Sequence, residues 1–450
     1  MKANLQKYAL ADVPRYTSYP TAVQFAGGFQ SDTWATWLAE LDSTTSLSAY
    51  VHVPFCHKLC WYCGCNTSVP NGYDRAQRYA STLLHEIDLT AAALQASGSA
   101  VEHLHFGGGT PTYLRERELA AIVTKIDGQF GLASDAEIAI EIDPRSVDGH
   151  DISALAGLGF NRVSFGVQDF AQTVQEKINR IQPADMVGRC VDGLRRAGVE
   201  AINFDLMYGL PGQTLASVRD TARQAADMLP SRIAVFGYAH VPWFAKHQRM
   251  ISDADLPGVT ARYQQATAIG ETLIECGYIE IGLDHYARPD DELAQAQRNH
   301  NLRRNFQGYT TDVSDALIGF GASSISQTVR GFAQNARDTL NWSNAIDAGK
   351  LPVTRGLARS NEDRLRGDII EQLMCYLTVD VEAVCHRHAV QVGTLRPSFD
   401  QLAELIDDGL VEISGWTVTV PKKHKLFIRT AATAFDAYYT ATESRHAKAV

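Results

Sequence analysis

Six times between Ala49 and Glu275 a short apolar run of strand character is followed by a longer segment whose apolar residues recur every three to four positions. The runs are Ala49–Val53, Val101–Phe106, Glu137–Ile142, Arg162–Phe165, Ala201–Leu206 and Ile233–Phe236. The helical segments are Tyr73–Ser97, Glu116–Phe130, Asp151–Leu158, Pro183–Ala197, Thr214–Met228 and Gly258–Glu275. Strands that alternate with helices in this way pair in parallel, because each helix carries the chain back to start the next strand from the same end. The predicted fold class is therefore α/β, with a parallel sheet that either stays open or curls towards a barrel. In both cases ligands gather at the carboxyl ends of the strands.

The unusual residues fall at those ends. A cysteine cluster follows the first strand and Gly107-Gly108-Gly109-Thr110-Pro111 the second. Glu141 and Asp143 end the third, and Gln168 and Asp169 follow the fourth. Asp205 and Gly209-Leu210-Pro211-Gly212 come with the fifth, and Tyr238, Ala239 and His240 after the sixth. Beyond Gly282 the pattern weakens into polar, glycine-containing segments, expected to be wrapping loops and helices. From Asn361 a compact C-terminal domain is expected, with helices near Asp363–Tyr376 and Phe399–Asp408 and a hairpin of Leu410–Ile413 and Trp416–Val420.

His52-Val53-Pro54-Phe55-Cys56-His57-Lys58-Leu59-Cys60-Trp61-Tyr62-Cys63-Gly64-Cys65 places three thiols at spacings of four and three on a loop leaving a strand. Such a loop can wrap one small inorganic cube, and three thiolates on a [4Fe-4S] cluster leave one iron open to an outside chelating group. The competing reading is a structural Zn²⁺ site, which usually pairs two cysteines with two ligands a dozen or more residues away. Cys190, Cys276, Cys375 and Cys385 lie in apolar segments and are expected to pack in the core. A formal net charge of −10 repels phosphate backbones and argues against nucleic-acid binding, so an anionic substrate needs local arginines. No stretch approaches the roughly 18 uninterrupted apolar residues of a membrane span; a cytoplasmic protein is expected.

With Tyr62 just before the third cysteine, the C-x3-C-x2-C loop resembles the radical S-adenosylmethionine superfamily. Gly64-Cys65, the opening Pro14-Arg15-Tyr16-Thr17-Ser18-Tyr19-Pro20-Thr21, Gly107–Thr112, Ile140–Arg145, Asp284–Pro289 and Arg304–Tyr309 narrow the resemblance to the oxygen-independent coproporphyrinogen III oxidase family, over nearly the whole chain. This implies a partial (β/α)6 barrel of the radical SAM type with a smaller, mainly helical C-terminal domain. The implied division is 1–47, a substrate-covering segment; 48–280, the barrel; 281–358, a barrel-wrapping extension; and 359–450, the C-terminal domain.

The resemblance further implies that Cys56, Cys60 and Cys63 ligate the cluster. Tyr50, Gly108, Glu141, Ala239 and Ile325 would hold one S-adenosylmethionine; Tyr62, Cys65, Gly109, Thr110, Gln168, Arg180 and Asp205 would hold a second. The implied reaction turns two propionates of coproporphyrinogen III into vinyl groups, giving protoporphyrinogen IX without O₂, through a 5′-deoxyadenosyl radical. Arg15, His285 and Arg288 are candidates for gripping propionates. A flavodoxin or ferredoxin is the expected electron donor, and a monomer the expected state. Two rival readings of the same residues are a heme-trafficking chaperone, which generally lacks the fourth cysteine and the N-terminal segment, and a heme-opening radical methyltransferase.

Overall fold

The computed structural model describes residues 3–94 and 100–440. Six adjacent parallel strands form the expected sheet: β1 (Leu47–Val53), β2 (Val101–Gly108), β3 (Leu132–Ile142), β4 (Arg162–Gln168), β5 (Ala201–Tyr208) and β6 (Arg232–Gly237). The crossover helices are Asp74–Leu94, Glu116–Phe130, Gly149–Gly157, Ala184–Arg196 and Leu215–Asp227, and Val259–Glu275 follows β6. Each lies within a few residues of its expected position. The expected end of the first helix, 95–97, lies outside the described residues.

Strand periodicity decides what faces the helices and what faces the barrel interior. Leu47, Ala49, Val51 and Val53 of β1, Ile138, Ile140 and Ile142 of β3, Val163, Phe165 and Val167 of β4, and Ile202, Phe204 and Leu206 of β5 pack in one apolar core with the helices. Each such side chain contributes on the order of 1.5–3 kcal/mol by leaving water. The alternate residues point inward and are polar: Tyr50 and His52, His105, Glu137 and Glu141, Ser164 and Gln168, Asn203 and Asp205 line the lumen. Asp205 thus sits within β5, one strand over from Gly166.

The segment after Gly282 departs from the expected loops and helices. Short strand β8 (His285–Ala287) pairs antiparallel with β6, and β7 (Ile279–Ile281), which just precedes Gly282, pairs antiparallel with β8 at the sheet edge. β9 (Ala316–Phe320) pairs in parallel with β1, and β10 (Ile325–Thr328), β11 (Gly331–Asn335) and β12 (Val353–Ala358) continue the sheet as antiparallel ribbons. These strands are only four to six residues long and largely buried, so no apolar–polar alternation marks them. In the C-terminal part, the expected helix Phe399–Asp408 is two short helices, Arg396–Asp400 and Ala403–Asp407, and the hairpin gains a third strand, Thr378–Asp380. Cys190, Cys375 and Cys385 are buried as expected; Cys276, at a helix end, is exposed.

A second apolar core joins the two ends of the chain: Leu5, Tyr8, Tyr16 and Tyr19 pack with Leu365, Leu373, Phe427 and Phe435. Tyr16 donates its hydroxyl to Asp436 at 3.0 Å, and Ala437 N–H donates to the Tyr19 hydroxyl at 2.8 Å.

The turn after β9 is held by the buried carboxylate of Glu86, which accepts from Gly321 N–H (2.7 Å), Asn335 Nδ2 (2.6 Å) and Trp342 Nε1 (3.1 Å). Burial outweighs these donors and pushes its pKa up to about 7. The folded protein therefore binds a proton there that the unfolded chain releases between about pH 4.5 and 7, so this group costs stability as pH rises through that window. Glu86→Gln removes the ionisation. Relative to the wild type it is expected to gain on the order of 3 kcal/mol between pH 5 and pH 8, measured by urea unfolding at the two pH values; parallel pH profiles for the two proteins would contradict this.

Candidate active site

The cysteine loop begins where β1 ends and is fastened at its base by Cys56 N–H to Ser68 O (3.0 Å) and Ser68 N–H to Pro54 O (2.9 Å). Side chains from later crossovers then seize its carbonyls. Asn179 Nδ2 donates to Leu59 O at 2.8 Å, Gln248 Nε2 to Tyr62 O at 2.8 Å, and the His247 ring to Cys63 O at 2.7 Å. The loop is thereby shaped by the whole barrel rather than by its own sequence.

Cys56, Cys60, Cys63 and Cys65 line one cavity of about 170 Å³ with Tyr62, Gly108, Gly109, Thr110, Glu141, Gln168, Arg180 and Asp205. Tyr50, Ala239 and Ile325 line the adjoining lumen, about 870 Å³, which shares Tyr62, Cys63, Cys65, Gly108, Glu141 and Asp205 with the smaller cavity. Every cluster-ligand and cofactor residue named from the sequence thus falls in two contiguous spaces. Of the propionate candidates, Arg15 and His285 border the lumen. Arg288 does not reach it: its guanidinium pairs with Asp290 at the surface, at 3.1 Å.

The glycines are there for space. A Cβ at Gly107 would lie 2.7 Å from the Glu141 carboxylate, one at Gly108 2.6 Å from the His52 ring, and one at Gly109 2.6 Å from Phe55 O. Gly108 also has φ +115°, a conformation that other residues avoid. Its N–H donates to Glu141 at 3.2 Å, and the His105 ring lies 3.2 Å from the other carboxylate oxygen. Burial opposes ionisation of Glu141, but these partners outweigh it and keep the group below its ordinary pKa. Among the described residues no such donor reaches Asp205; burial, then the charge of Glu141, pushes it up to about 7. The two facing carboxyls are thus tuned apart.

All three thiols of the C-x3-C-x2-C loop receive donors. The Thr67 hydroxyl lies 3.1 Å from Cys56 Sγ and the Thr110 hydroxyl donates to it at 3.6 Å; Arg145 Nη2 and Arg180 Nη1 each donate to Cys60 Sγ at 3.4 Å; Cys65 N–H donates to Cys63 Sγ at 3.4 Å. The sulfurs face a shared cavity, and among the described residues no three Cys, His, Asp or Glu side chains converge on a single-ion geometry. Donors to each sulfur and a common cavity are what thiolates around an iron–sulfur cube require. The residues present therefore fit a [4Fe-4S] cluster better than a single metal ion.

Sequence reasoning singled out Arg180, Asp143 and Cys60 but did not join them. Asp143 accepts from Arg145 (2.6 Å) and Arg180 (3.3 Å), and Arg180 also donates twice to Gly166 O, at 2.6 and 3.1 Å. Four of the five Arg180 donors are thus committed. Burial opposes ionisation of Asp143, yet Arg180 and Arg145 bring its pKa down to about 2. The lumen floor was also missed: Arg162 bridges Glu137 (2.6 Å) and Asn203 (3.2 Å), and Arg232 pairs with Asp291 (2.8 Å). The signal for these residues was their inward parity in strands that are otherwise apolar.

A curled parallel sheet that carries three thiols on its first loop and a glycine triplet after its second strand defines a radical SAM protein, and residues 50–225 match the Radical SAM superfamily. The relationship extends over the whole chain. It is 45% identical over 451 residues to the oxygen-independent coproporphyrinogen III oxidase of Bradyrhizobium diazoefficiens, covering 100% of both proteins. It is 39% identical to that of Salmonella typhimurium, covering 97% of this chain and 95% of the relative. The structure of coproporphyrinogen III oxidase from Escherichia coli, a radical SAM enzyme, superposes with a TM-score of 0.90 at 38% identity, covering 96% of this chain and 100% of that one. The chain belongs to the oxygen-independent coproporphyrinogen III oxidase family.

Proposed function

We propose that this protein converts coproporphyrinogen III to protoporphyrinogen IX without O₂, by oxidative decarboxylation of two propionates to vinyl groups. The observation that carries the reading is the convergence of Cys56, Cys60, Cys63, Gly108 and Glu141 on one end of the lumen, in a chain related to such enzymes from end to end. When bound, the [4Fe-4S] cluster and S-adenosylmethionine would supply one electron and the carbon radical that takes hydrogen from a propionate β-carbon; the vinyl group then forms as CO₂ leaves and one electron passes to a one-electron acceptor.

The chain's own residues hold and orient. Cys56, Cys60 and Cys63 are the cluster ligands. Ionised Glu141 and the exposed edge of Gly108 receive the polar groups of one S-adenosylmethionine, with Tyr50, Ala239 and Ile325 closing around it. Tyr62, Cys65, Gly109, Thr110, Gln168, Asp205 and the one uncommitted donor of Arg180 border the place for a second. The buried strands and the cysteine loop keep water from the reacting carbon, and positioning of this kind is the larger part of what protein supplies to a cofactor reaction.

This reading calls for a one-electron donor such as a flavodoxin or ferredoxin, a cytoplasmic setting and a monomer. Among the described residues, no helix is long and apolar enough to cross a membrane. The test is anaerobic incubation of the reconstituted protein with coproporphyrinogen III, S-adenosylmethionine and a reductant, followed by mass analysis. The expected products are a divinyl tetrapyrrole, CO₂, methionine and 5′-deoxyadenosine. Stoichiometric heme binding with no decarboxylation indicates a heme-trafficking chaperone, and a methylated tetrapyrrole a methyltransferase; either overturns the proposal.

A further inference from the structure

Beside the lumen, and sharing with it the wall Phe236–Val241 and the turn at Phe306–Gln307, lies a cavity of about 860 Å³. Cys63 and Cys65 border the lumen and not this space. Its lining carries five cations, Arg15, Arg262, Arg304, Lys425 and Arg429, against two carboxylates, Asp12 and Asp284.

Some of that charge is balanced locally. Lys425 Nζ pairs with Glu280 at 2.5 Å and donates to the Tyr286 hydroxyl at 3.0 Å; Arg304 lies 3.8 Å from Asp284. Arg262 donates to Tyr238 O at 2.9 Å. The lining still carries more cationic than carboxylate groups. Arg429 is only 9% exposed, and its pKa is pushed down to about 10, first by burial and then by the charges of Arg15 and Arg304. Arg262 is lowered too, by burial and by Arg15. Holding several guanidinium groups together in a half-enclosed space costs free energy that a bound anion offsets. In a chain of net charge −10 this concentration is not a general property of the surface.

We propose that this chamber grips the two propionate carboxylates that the reaction leaves intact, with Arg429 and Arg262 as the principal positioning residues. The inference rests on the tetrapyrrole reading above and adds to it the groups that orient the ring. Guanidinium forks match carboxylates with paired hydrogen bonds, and Phe236 and Phe306, on the shared wall, offer apolar surface to the pyrroles between. Carboxylates held here turn the opposite half of the ring towards Cys63, Cys65 and Glu141. The two propionates within reach of the cluster are then the two that react. The C-terminal segment supplies Lys425 and Arg429, and the N-terminal segment Arg15, so both ends of the chain complete the site.

The test compares anaerobic holoenzyme binding of protoporphyrin IX, which keeps only those two propionates, with binding of its dimethyl ester, by fluorescence quenching. The wild type is expected to prefer the diacid. Arg429→Gln and Arg262→Gln are each expected to shrink that preference by about 10-fold or more, with ester affinity and cluster absorbance unchanged and with partial recovery in Arg429→Lys. Retention of the wild-type preference in both glutamine variants, or equal weakening towards acid and ester, overturns the assignment. A wild-type protein that leaves coproporphyrinogen III unchanged defeats the reaction itself, whatever the porphyrin affinities. One that converts it while the variants keep the preference defeats only the propionate chamber.

Discussion

Serine in place of Cys56, Cys60 or Cys63 is expected to lower anaerobic 5′-deoxyadenosine formation by at least about a thousandfold, equivalent to about 4 kcal/mol in the barrier. Each of these sulfurs faces the same cavity and has its own donor, so each variant loses a cluster ligand and not merely a packed side chain. The controls follow from geometry. Cys65→Ser keeps the backbone N–H that faces Cys63 and retains its iron. Cys190→Ser and Cys375→Ser change buried positions away from the loop and also retain it. Iron and sulfide content, with deoxyadenosine measured by chromatography, decides the matter. Wild-type release from any of the three loop variants would sink the ligand assignment.

Arg180→Leu is expected to produce the largest loss of stability of any single change at the site, about 3–5 kcal/mol. The guanidinium is buried and joins Asp143, the Gly166 carbonyl and Cys60 Sγ. Removing it leaves Gly166 O without these donors and Asp143 with Arg145 alone. Arg180→Lys restores charge without the planar fork and should fall between the two. Removing both a positive charge and an N–H···S bond also favours the oxidised cluster, so its reduction potential should move negative. Denaturant unfolding and redox titration of the reconstituted variant test the two effects separately. A leucine variant as stable as the wild type and with the same potential would refute the bridging role.

The parallel half of the sheet was legible because each strand announces itself locally. β-Branched and aromatic runs alternate with amphipathic helices, and six such units leave few topologies open. The cysteine loop was legible for a similar reason: its thiols are neighbours in sequence, and their spacing is itself the chemistry. Strands β9–β12 were not, because they are short and largely buried and so carry no periodic signature, and because β9 joins the sheet through β1, far away in the chain. Arg288 illustrates the opposite error. A cation near a motif looked available, and its own turn had already paired it with Asp290.

The sequence alone determined the α/β class, the gathering of unusual residues at the carboxyl ends of the strands, and the three thiols at the barrel mouth, since all of these are set by patterns among residues close in the chain. Only the tertiary structure decided which charges confront one another across open space. Arg180 meets Asp143 and Cys60, Asp205 is desolvated beside Glu141, and Arg15, Arg262, Arg304 and Arg429 meet in one chamber. The chamber depends on Tyr16 and Tyr19 packing against the C-terminal helices, hundreds of residues away. Burial and Coulomb energies depend on distance in space, which chain order does not record.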